Sequence, residues 1–112
     1  MSSRTLRQPT YFILAALLEA PLHGYGIIKR VEELTGGELR LRAGTLYAAL
    51  DRLTDEGRVV PDREEVVSGR LRRYYRLTPE GGATLTAEAG QLRRAADVVL
   101  SRGQQTLAAR TA

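Results

Sequence analysis

Apolar positions recur at helical spacing along most of this chain and alternate with polar ones in one short segment. The most clearly patterned helix is predicted over about 43–56, where Leu46, Leu50 and Leu53 recur at intervals of four and three and share one face. Gly57 is expected to end this helix, because glycine readily adopts the left-handed conformation that follows a helix. The narrow apolar stripe indicates a helix that packs on a small core and offers its other face to a partner.

Two further helices are predicted before this one. Residues 11–20 are apolar almost all round, which indicates a buried helix that must end before Pro21. Residues 22–24 are expected to form a connection. A second helix follows over about 25–35 and is ended by two glycines. One face of it carries the apolar side chains Ile27, Ile28, Val31 and Leu34.

A β-hairpin is predicted after the third helix. Its first strand covers about 59–67 despite Pro61, which marks an edge strand, and Ser68 and Gly69 form the turn. In the second strand, over 70–77, side chains alternate between two faces. One face carries Leu71, Arg73, Tyr75 and Leu77, and the other carries Arg70, Arg72, Tyr74 and Arg76. The two tyrosines therefore point to opposite faces, and one of them is expected in the core.

The chain ends in a long predicted helix that reaches about Ala109. Thr78 is its expected N-cap and Pro79 its first residue. Apolar side chains step through it by four and three residues, as in a coiled-coil seam. The seam is Leu85, Ala89, Leu92, Ala96 and Val99, widened by Leu100 and Leu107. Because the preceding domain need not cover this long stripe, we expect it to pack on a second copy; the alternative is a helix folded back on its own core.

This order of elements is that of a winged helix-turn-helix domain followed by a dimerisation helix. The predicted fold is therefore mainly α with a small β-hairpin. We place the DNA-binding domain at residues 1–78 and the C-terminal dimerisation helix at residues 79–112.

Composition narrows the function classes without choosing one. The 112 residues carry 17 basic and 13 acidic side chains, and this balance permits nucleic-acid binding without demanding it. All basic residues except Lys29 are arginines, which suit phosphates and guanine edges, although a GC-rich genome produces the same bias. The absence of cysteine excludes disulfides and thiolate zinc sites and fits a reducing compartment. With no long apolar run and no secretory signal, we expect a cytoplasmic protein that does not enter a membrane.

Few residues suggest catalysis or cofactor binding. His23 is the only histidine and is interpreted as a turn residue, so a metal site within one chain is not expected. Gly24 and Gly26 faintly resemble a dinucleotide fingerprint, but Lys29 stands where the third glycine belongs and no strand precedes them. No nucleophile–base pair stands out. We therefore predict no enzyme activity, no metal and no cofactor.

Three segments, taken in order, resemble the PadR family of bacterial transcriptional regulators. They are PLHGYGI at 21–27, GTLYAALDRL at 44–53 and RRYYRLTP at 72–79, and with their spacing they cover about residues 10–82. The resemblance implies a homodimer with its third helix in the DNA major groove and its hairpin wing on the backbone or minor groove. It also implies repression by promoter occupancy, often relieved by a small aromatic or cationic compound. An activator of another winged-helix family, or an adaptor that binds protein, are the alternatives.

The chain departs from the family pattern at the start of the third helix. The family commonly has Ser-Pro before its Gly-Thr-Leu-Tyr motif, where this chain has Arg42 and Ala43. Losing the serine cap should cost about 1 kcal/mol unless another group takes the free amides. Our hypothesis is that a DNA phosphate takes them, since helix N-termini bind anions, and that Arg42 adds a charged contact there.

The third helix carries further candidate DNA contacts. The hydroxyls of Thr45 and Tyr47 can hydrogen-bond to phosphates or base edges, while the alternative for Tyr47 is packing between the wing and the helix. Ala48 offers a methyl that suits a thymine methyl or simple close packing. Arg52 can reach a phosphate or pair with a carboxylate of its own helix. The helix has no Asn or Gln for adenine, so we expect sparse base readout and a contribution from DNA shape.

The remaining candidates lie on the wing and at the first two helices. Arg70, Arg72 and Arg73 form a natural phosphate clamp, or else they balance acidic side chains across the hairpin. Lys29 either touches the DNA backbone or only water. An effector pocket is expected at the dimer interface near the first and last helices, with Tyr11 and Phe12 as its walls. No aromatic residue follows Tyr75, so the last helix has no stacking platform.

Overall fold

The computed structural model describes residues 6–111 and has the predicted elements in the predicted order. The elements are helix α1 (Gln8–Ala16), strand β1 (Leu22–His23), helices α2 (Gly24–Leu34) and α3 (Ala43–Asp55), strands β2 (Val59–Val67) and β3 (Arg70–Leu77), and helix α4 (Pro79–Thr111). The hairpin of β2 and β3 is the wing. The structure is mainly helical with a small antiparallel sheet and a long last helix, which confirms the predicted fold class.

Strand β1 is the one element that the sequence did not predict. Leu22 pairs with Tyr75 and His23 with Tyr74, so the expected connection joins the hairpin as a third strand. The sheet order is β1-β3-β2, which places β3 in the centre. A bulge between Pro61 and Glu64 accommodates the proline, and from Glu64 to Val67 strand β2 again pairs regularly with β3.

One apolar core joins the three short helices, the sheet and the start of α4. Leu46, Leu50 and Leu53 of α3 are fully buried, as their spacing predicted, and Ala49 lies beside them. The same cluster contains Ile13, Leu14, Ile27, Val31, Val59, Tyr75 and Leu85. Helix α3 therefore has a fixed inner face, and the residues between its buried positions point outward.

Helix α1 ends at Ala16, before the limit that Pro21 set at Ala20. The amides of Leu17 and Leu18 donate to carbonyls three residues back, at 3.1 and 3.2 Å, so the helix ends in a tighter turn of the 3₁₀ type. The chain needs these residues to reverse direction into β1. Proline limits where a helix can continue, but tertiary pairing decides where this one stops.

The start of α4 is tied to the end of α3. The Thr78 hydroxyl accepts a hydrogen bond from the Gly81 amide at 2.9 Å, which confirms the predicted N-cap, and donates to the Gly57 carbonyl at 2.7 Å. The Thr78 amide donates to the Arg58 carbonyl at 3.1 Å. A Cβ on Gly81 would overlap that carbonyl oxygen, so the close approach requires glycine.

Helix α4 divides into a packed part and an exposed part. Leu85 and Glu88 are buried against the domain, whereas every described side chain from 91 to 110 is exposed. Leu85, which the heptad pattern assigned to a seam between copies, belongs to the core of its own chain instead. The second half of α4 does not fold back on that core, so the exposed part of the predicted seam begins after the half-buried Ala89.

As predicted, the tyrosines of β3 point to opposite faces and one of them lies in the core, although both are buried. Tyr75 lies in the core, while Tyr74 lies on the other face beside His23, with ring centroids 5.2 Å apart. The Tyr74 hydroxyl donates to Glu65 at 2.7 Å, and the Arg63 guanidinium lies 3.9 Å from the centre of the Tyr74 ring. The His23 Nδ1 atom is buried and has no hydrogen-bond partner in the described part of the chain. Burial and the charge of Arg72 lower the pKa of His23, and Glu65 opposes this shift.

Mild acid is expected to destabilise the fold through His23. Its pKa in the folded chain lies below the ordinary value of 6.5, so the unfolded state binds more protons as the pH falls through that value. The free energy of unfolding should therefore decrease from about pH 7.5 to about pH 5.5, a window in which carboxylates titrate little. Urea denaturation of the wild type and the His23→Gln variant checks this, since the variant should lose most of the decrease. A variant that keeps all of it would contradict the assignment.

Candidate nucleic-acid interface

The outward face of α3 carries side chains that the sequence assigned to DNA contact, followed by the exposed carboxylates Asp51 and Asp55. Thr45 and Ala48 are exposed, and Tyr47 is 46% exposed. These side chains are small or end in a hydroxyl, so the helix backbone can approach a flat or grooved surface closely. The three leucines on the opposite face hold this orientation.

Tyr47 packs on α2 through Gly24. A Cβ on Gly24 would overlap the Tyr47 hydroxyl oxygen and lie 2.7 Å from the ring carbon that bears it. The missing side chain at Gly24 therefore admits the tyrosine ring between α2 and α3. This contact replaces the packing between wing and helix that was the alternative for Tyr47, and nearly half of the residue's surface stays accessible. Gly24 is thus a supporting residue that the sequence pattern did not single out.

The start of α3 has no side-chain cap, as the Arg42–Ala43 sequence suggested. Arg42 is the N-cap residue with extended backbone, its carbonyl accepts from the Leu46 amide at 3.0 Å, and the first turn carries no acidic side chain. The amides of the first turn therefore face outward with the positive end of the helix dipole. Arg42 is exposed beside them. This arrangement suits an anion with several oxygen atoms.

Arg52 is engaged within the protein. Its Nη2 atom donates to the Thr10 hydroxyl at 2.9 Å, which links α3 to α1 across 42 positions of sequence. Its partner in the structure is therefore neither of the two predicted ones, a DNA phosphate or a carboxylate of α3. Thr10 is buried, so the bond satisfies a polar group that the apolar pattern of α1 would leave unpaired.

The three arginines near the wing's turn have different surroundings. Arg73 donates from Nε to Glu64 at 3.0 Å, and this carboxylate raises the pKa of the guanidinium. Arg73 therefore matches the alternative prediction, in which a wing arginine balances an acidic side chain across the hairpin. The guanidinium groups of Arg70 and Arg72 make no hydrogen bond or ion pair with other described residues. Arg70 is exposed and Arg72 half-buried.

The carboxylates of the wing make their hydrogen bonds and ion pairs with residues other than those two arginines. Asp62 lies 3.3 Å from Arg76 and 3.7 Å from Arg63. Glu64 is taken by Arg73, and Glu65, which lies opposite Arg72 in the ladder, accepts the Tyr74 hydroxyl instead. The end of the wing therefore presents positive charge to any neighbouring surface. On α2, Lys29 is likewise exposed and without an ion pair in the described chain, whereas the adjacent Arg30 pairs with Glu19 and Glu33.

A separate cavity of about 350 Å³ lies between α1 and α4. Its walls are Leu6, Gln8, Tyr11, Phe12, Glu88 and Leu92, and the two aromatic rings meet edge to face at 5.2 Å. Glu88 is only 6% exposed and has no hydrogen bond or ion pair with the described residues. The sequence pattern missed Glu88, although its position three after Leu85 and four before Leu92 places it on the apolar stripe.

Other kinds of site find no support in the part of the chain that the structure describes. No group of three His, Asp or Glu side chains among residues 6–111 could hold a metal ion. None of the helices described is both long and apolar enough to cross a bilayer.

Known proteins resemble this chain in sequence and in fold. The model of the transcriptional regulator PadR-like family matches residues 13–87. A transcriptional regulator of Mycobacterium tuberculosis, Rv3488, is 44% identical over 69 residues, which are 62% of this chain and 64% of that protein. The match thus spans slightly less than two thirds of that relative's length.

Two solved structures extend the comparison to the fold. A PadR family transcription regulator from hypervirulent Clostridium difficile superposes with a TM-score of 0.70 at 30% identity, covering 82% of this chain and 94% of that one. PadR of Bacillus subtilis, solved in complex with operator DNA, superposes with a TM-score of 0.64 at 29% identity, covering 72% and 47%. With the family model matching well over half of its length, this chain belongs to the PadR-like family of transcriptional regulators.

Proposed function

We propose that this protein represses transcription in the cytoplasm as a homodimer bound to operator DNA. The observation that carries the proposal is a set of positive groups without an ion-pair partner among the described residues. They are the uncapped start of α3 with Arg42, and the wing arginines Arg70 and Arg72. A structural neighbour has been solved on operator DNA, which supports the same partner here.

In the proposed complex, α3 enters the major groove and the wing reaches the adjacent backbone and minor groove. Phosphates accept from the first-turn amides of α3, from the exposed side chains of Arg42, Arg70 and Lys29, and from the half-buried Arg72. Thr45, Tyr47 and Ala48 face the base edges. Because Arg52 is bonded to Thr10 and Arg73 to Glu64, we assign these two arginines to holding α3 and the wing in place.

The second copy is proposed to pack along the exposed half of α4. Large apolar side chains there face water in the single chain: Leu92, Val98, Val99, Leu100 and Leu107. A contiguous apolar surface of this kind usually marks an interface. Pairing two copies along α4 also places two α3 helices on one duplex, about one helical turn of DNA apart.

The cavity between α1 and α4 is our candidate for an effector site. Tyr11 and Phe12 offer aromatic faces, and the carboxylate of the largely buried residue Glu88 favours a positively charged group. A small aromatic or cationic compound therefore fits this cavity. Because α4 is also the proposed dimer element, a ligand between α1 and α4 would change how the two DNA-binding domains are spaced.

Binding to the chain's own upstream region tests the main proposal. We expect a salt-sensitive shift in gel electrophoresis, and alanine at Arg42, Arg70 or Arg72 should each reduce the slope of log affinity against log salt by about one. Arg73→Ala and Arg30→Ala are matched controls, because these guanidinium groups are already paired with glutamates and should change the slope less. No shift at low salt would favour the protein-binding adaptor.

Disrupting the α4 surface should separate the copies. We expect Leu92→Asp combined with Val99→Asp to give a monomer in analytical ultracentrifugation and to weaken operator binding on the order of a hundredfold, because avidity is lost. Ser101→Asp, on the opposite side of the same exposed helix, is the control and should leave the dimer intact. A monomeric wild type would contradict the proposal directly.

Benzylamine and benzyl alcohol test the effector site, since they have similar shapes but only the amine is charged at neutral pH. Calorimetry should detect benzylamine binding at least about tenfold more tightly, owing to the Glu88 carboxylate in the cavity wall. Glu88→Gln should remove this difference. Equal affinities in the wild type would count against a role for the carboxylate.

A further inference from the structure

The end of the wing carries an exposed apolar pair. Val66 and Leu71 lie directly opposite each other in the β2–β3 ladder and are 70% and 60% exposed. The next pair on the same face, moving from the turn toward the core, is the ion pair of Glu64 and Arg73. The buried ring of Tyr75 follows after it. The pair is therefore separated from the core and takes no part in it.

The opposite face of the same ribbon carries Arg70 and Arg72 with one carboxylate, Glu65, and one apolar residue, Val67. Arg70 and Arg72 alternate with Leu71 along β3, so they point away from the apolar pair. Their guanidinium groups are unpaired among the described residues, and the wing's carboxylates are engaged elsewhere. The wing end, residues 65–72, is thus an amphipathic two-stranded ribbon with an excess of one positive charge, and it fits a narrow apolar channel with negatively charged rims.

The DNA minor groove has this chemistry. Its walls are the carbon–hydrogen edges of deoxyribose, phosphates line both rims, and a narrow groove admits one pair of side chains at a ribbon's end. A folded protein partner would need an acidic border around an apolar slot to match equally well. The charge next to Val66 and Leu71 therefore favours DNA over protein as the occupant.

We propose that Val66 and Leu71 insert into the minor groove and pack against its sugars, while Arg70 and Arg72 hold the flanking phosphates. This inference rests on the proposed operator binding and adds a specificity determinant to it. Guanine carries a 2-amino group on the floor of this groove, and apolar side chains cannot accept its hydrogen bonds. The wing end consequently selects A·T pairs at positions that flank the bases facing α3. This selection adds to the sparse base contacts that the small side chains of α3 can make.

The first arm of the test compares two double variants on the operator. Val66→Ser with Leu71→Ser should weaken binding about tenfold and leave the salt slope unchanged, because no phosphate contact is lost. Arg70→Ala with Arg72→Ala should flatten the slope instead. Hydroxyl-radical footprinting, which reports access to the sugars, should show that the serine variant loses protection only at the flanks. Both apolar residues are exposed, so thermal unfolding should be nearly unchanged.

The second arm uses the wild-type protein and changes only the DNA. Replacing A·T by G·C at the flanking pairs should weaken binding several-fold, and replacing that guanine by inosine should restore it, because inosine lacks the 2-amino group. The serine variant should be indifferent to all three duplexes. This arm is informative even if the serine variant is unstable.

Two results would overturn the inference while operator binding stands. If the serine variant keeps wild-type affinity, sugar protection and flank preference while the arginine variant loses affinity, operator binding stands and the apolar insertion is wrong. If inosine fails to restore wild-type binding, selection through the minor-groove amino group is wrong. Absence of any DNA binding at low salt would remove the proposed function and this inference together.

Discussion

The orientation of α3 depends on the burial of three leucines. Leu46, Leu50 and Leu53 are completely removed from water, and each contributes about 1.5–3 kcal/mol relative to exposure. The missing cap at the start of the same helix costs about 1 kcal/mol. Burial therefore outweighs the loss severalfold, so the chain can leave the first-turn amides without a side-chain cap and still hold the helix in place. The outward face is defined by what the inward face must bury.

Charge on the wing is distributed by the geometry of the sheet. The bulge beside Pro61 places Arg63 over the Tyr74 ring and Asp62 near both Arg63 and Arg76. Regular pairing then resumes and sets Glu64 against Arg73. Five arginines and three carboxylates lie in the hairpin, so a simple count gives an excess of two positive charges. The partners in the structure leave the excess at Arg70 and Arg72, next to the turn.

Local patterns predicted the elements that local forces determine. The bounds of β2 and β3, the Thr78 cap and the buried stripe of α3 follow from alternation, capping and spacing, and the structure confirms them. Membership of a family of transcriptional regulators also agrees with the expectation that the chain is not an enzyme.

The features that the sequence did not predict all depend on partners distant in the chain. Strand β1 has two residues, too few for a period, and exists because β3 offers an edge. Arg52 finds Thr10 across 42 positions, and Tyr74 is buried by His23 and Arg63 instead of by the core. Glu88 is buried because α1 and α4 meet around it, although its residue type suggests a solvated position.

The contact between Gly81 and the Arg58 carbonyl makes α4 a lever with its fulcrum at the wing. The 33 residues of this helix span about 50 Å, and its first turn is bonded to the residues that end α3. A tilt of about 5° at this fulcrum displaces the far end of the helix by about 4 Å. Conversely, a contact that fixes the far end of α4 also restrains the base of the wing. The two are tightly coupled, because Gly81 packs so closely on the Arg58 carbonyl that a Cβ would overlap its oxygen.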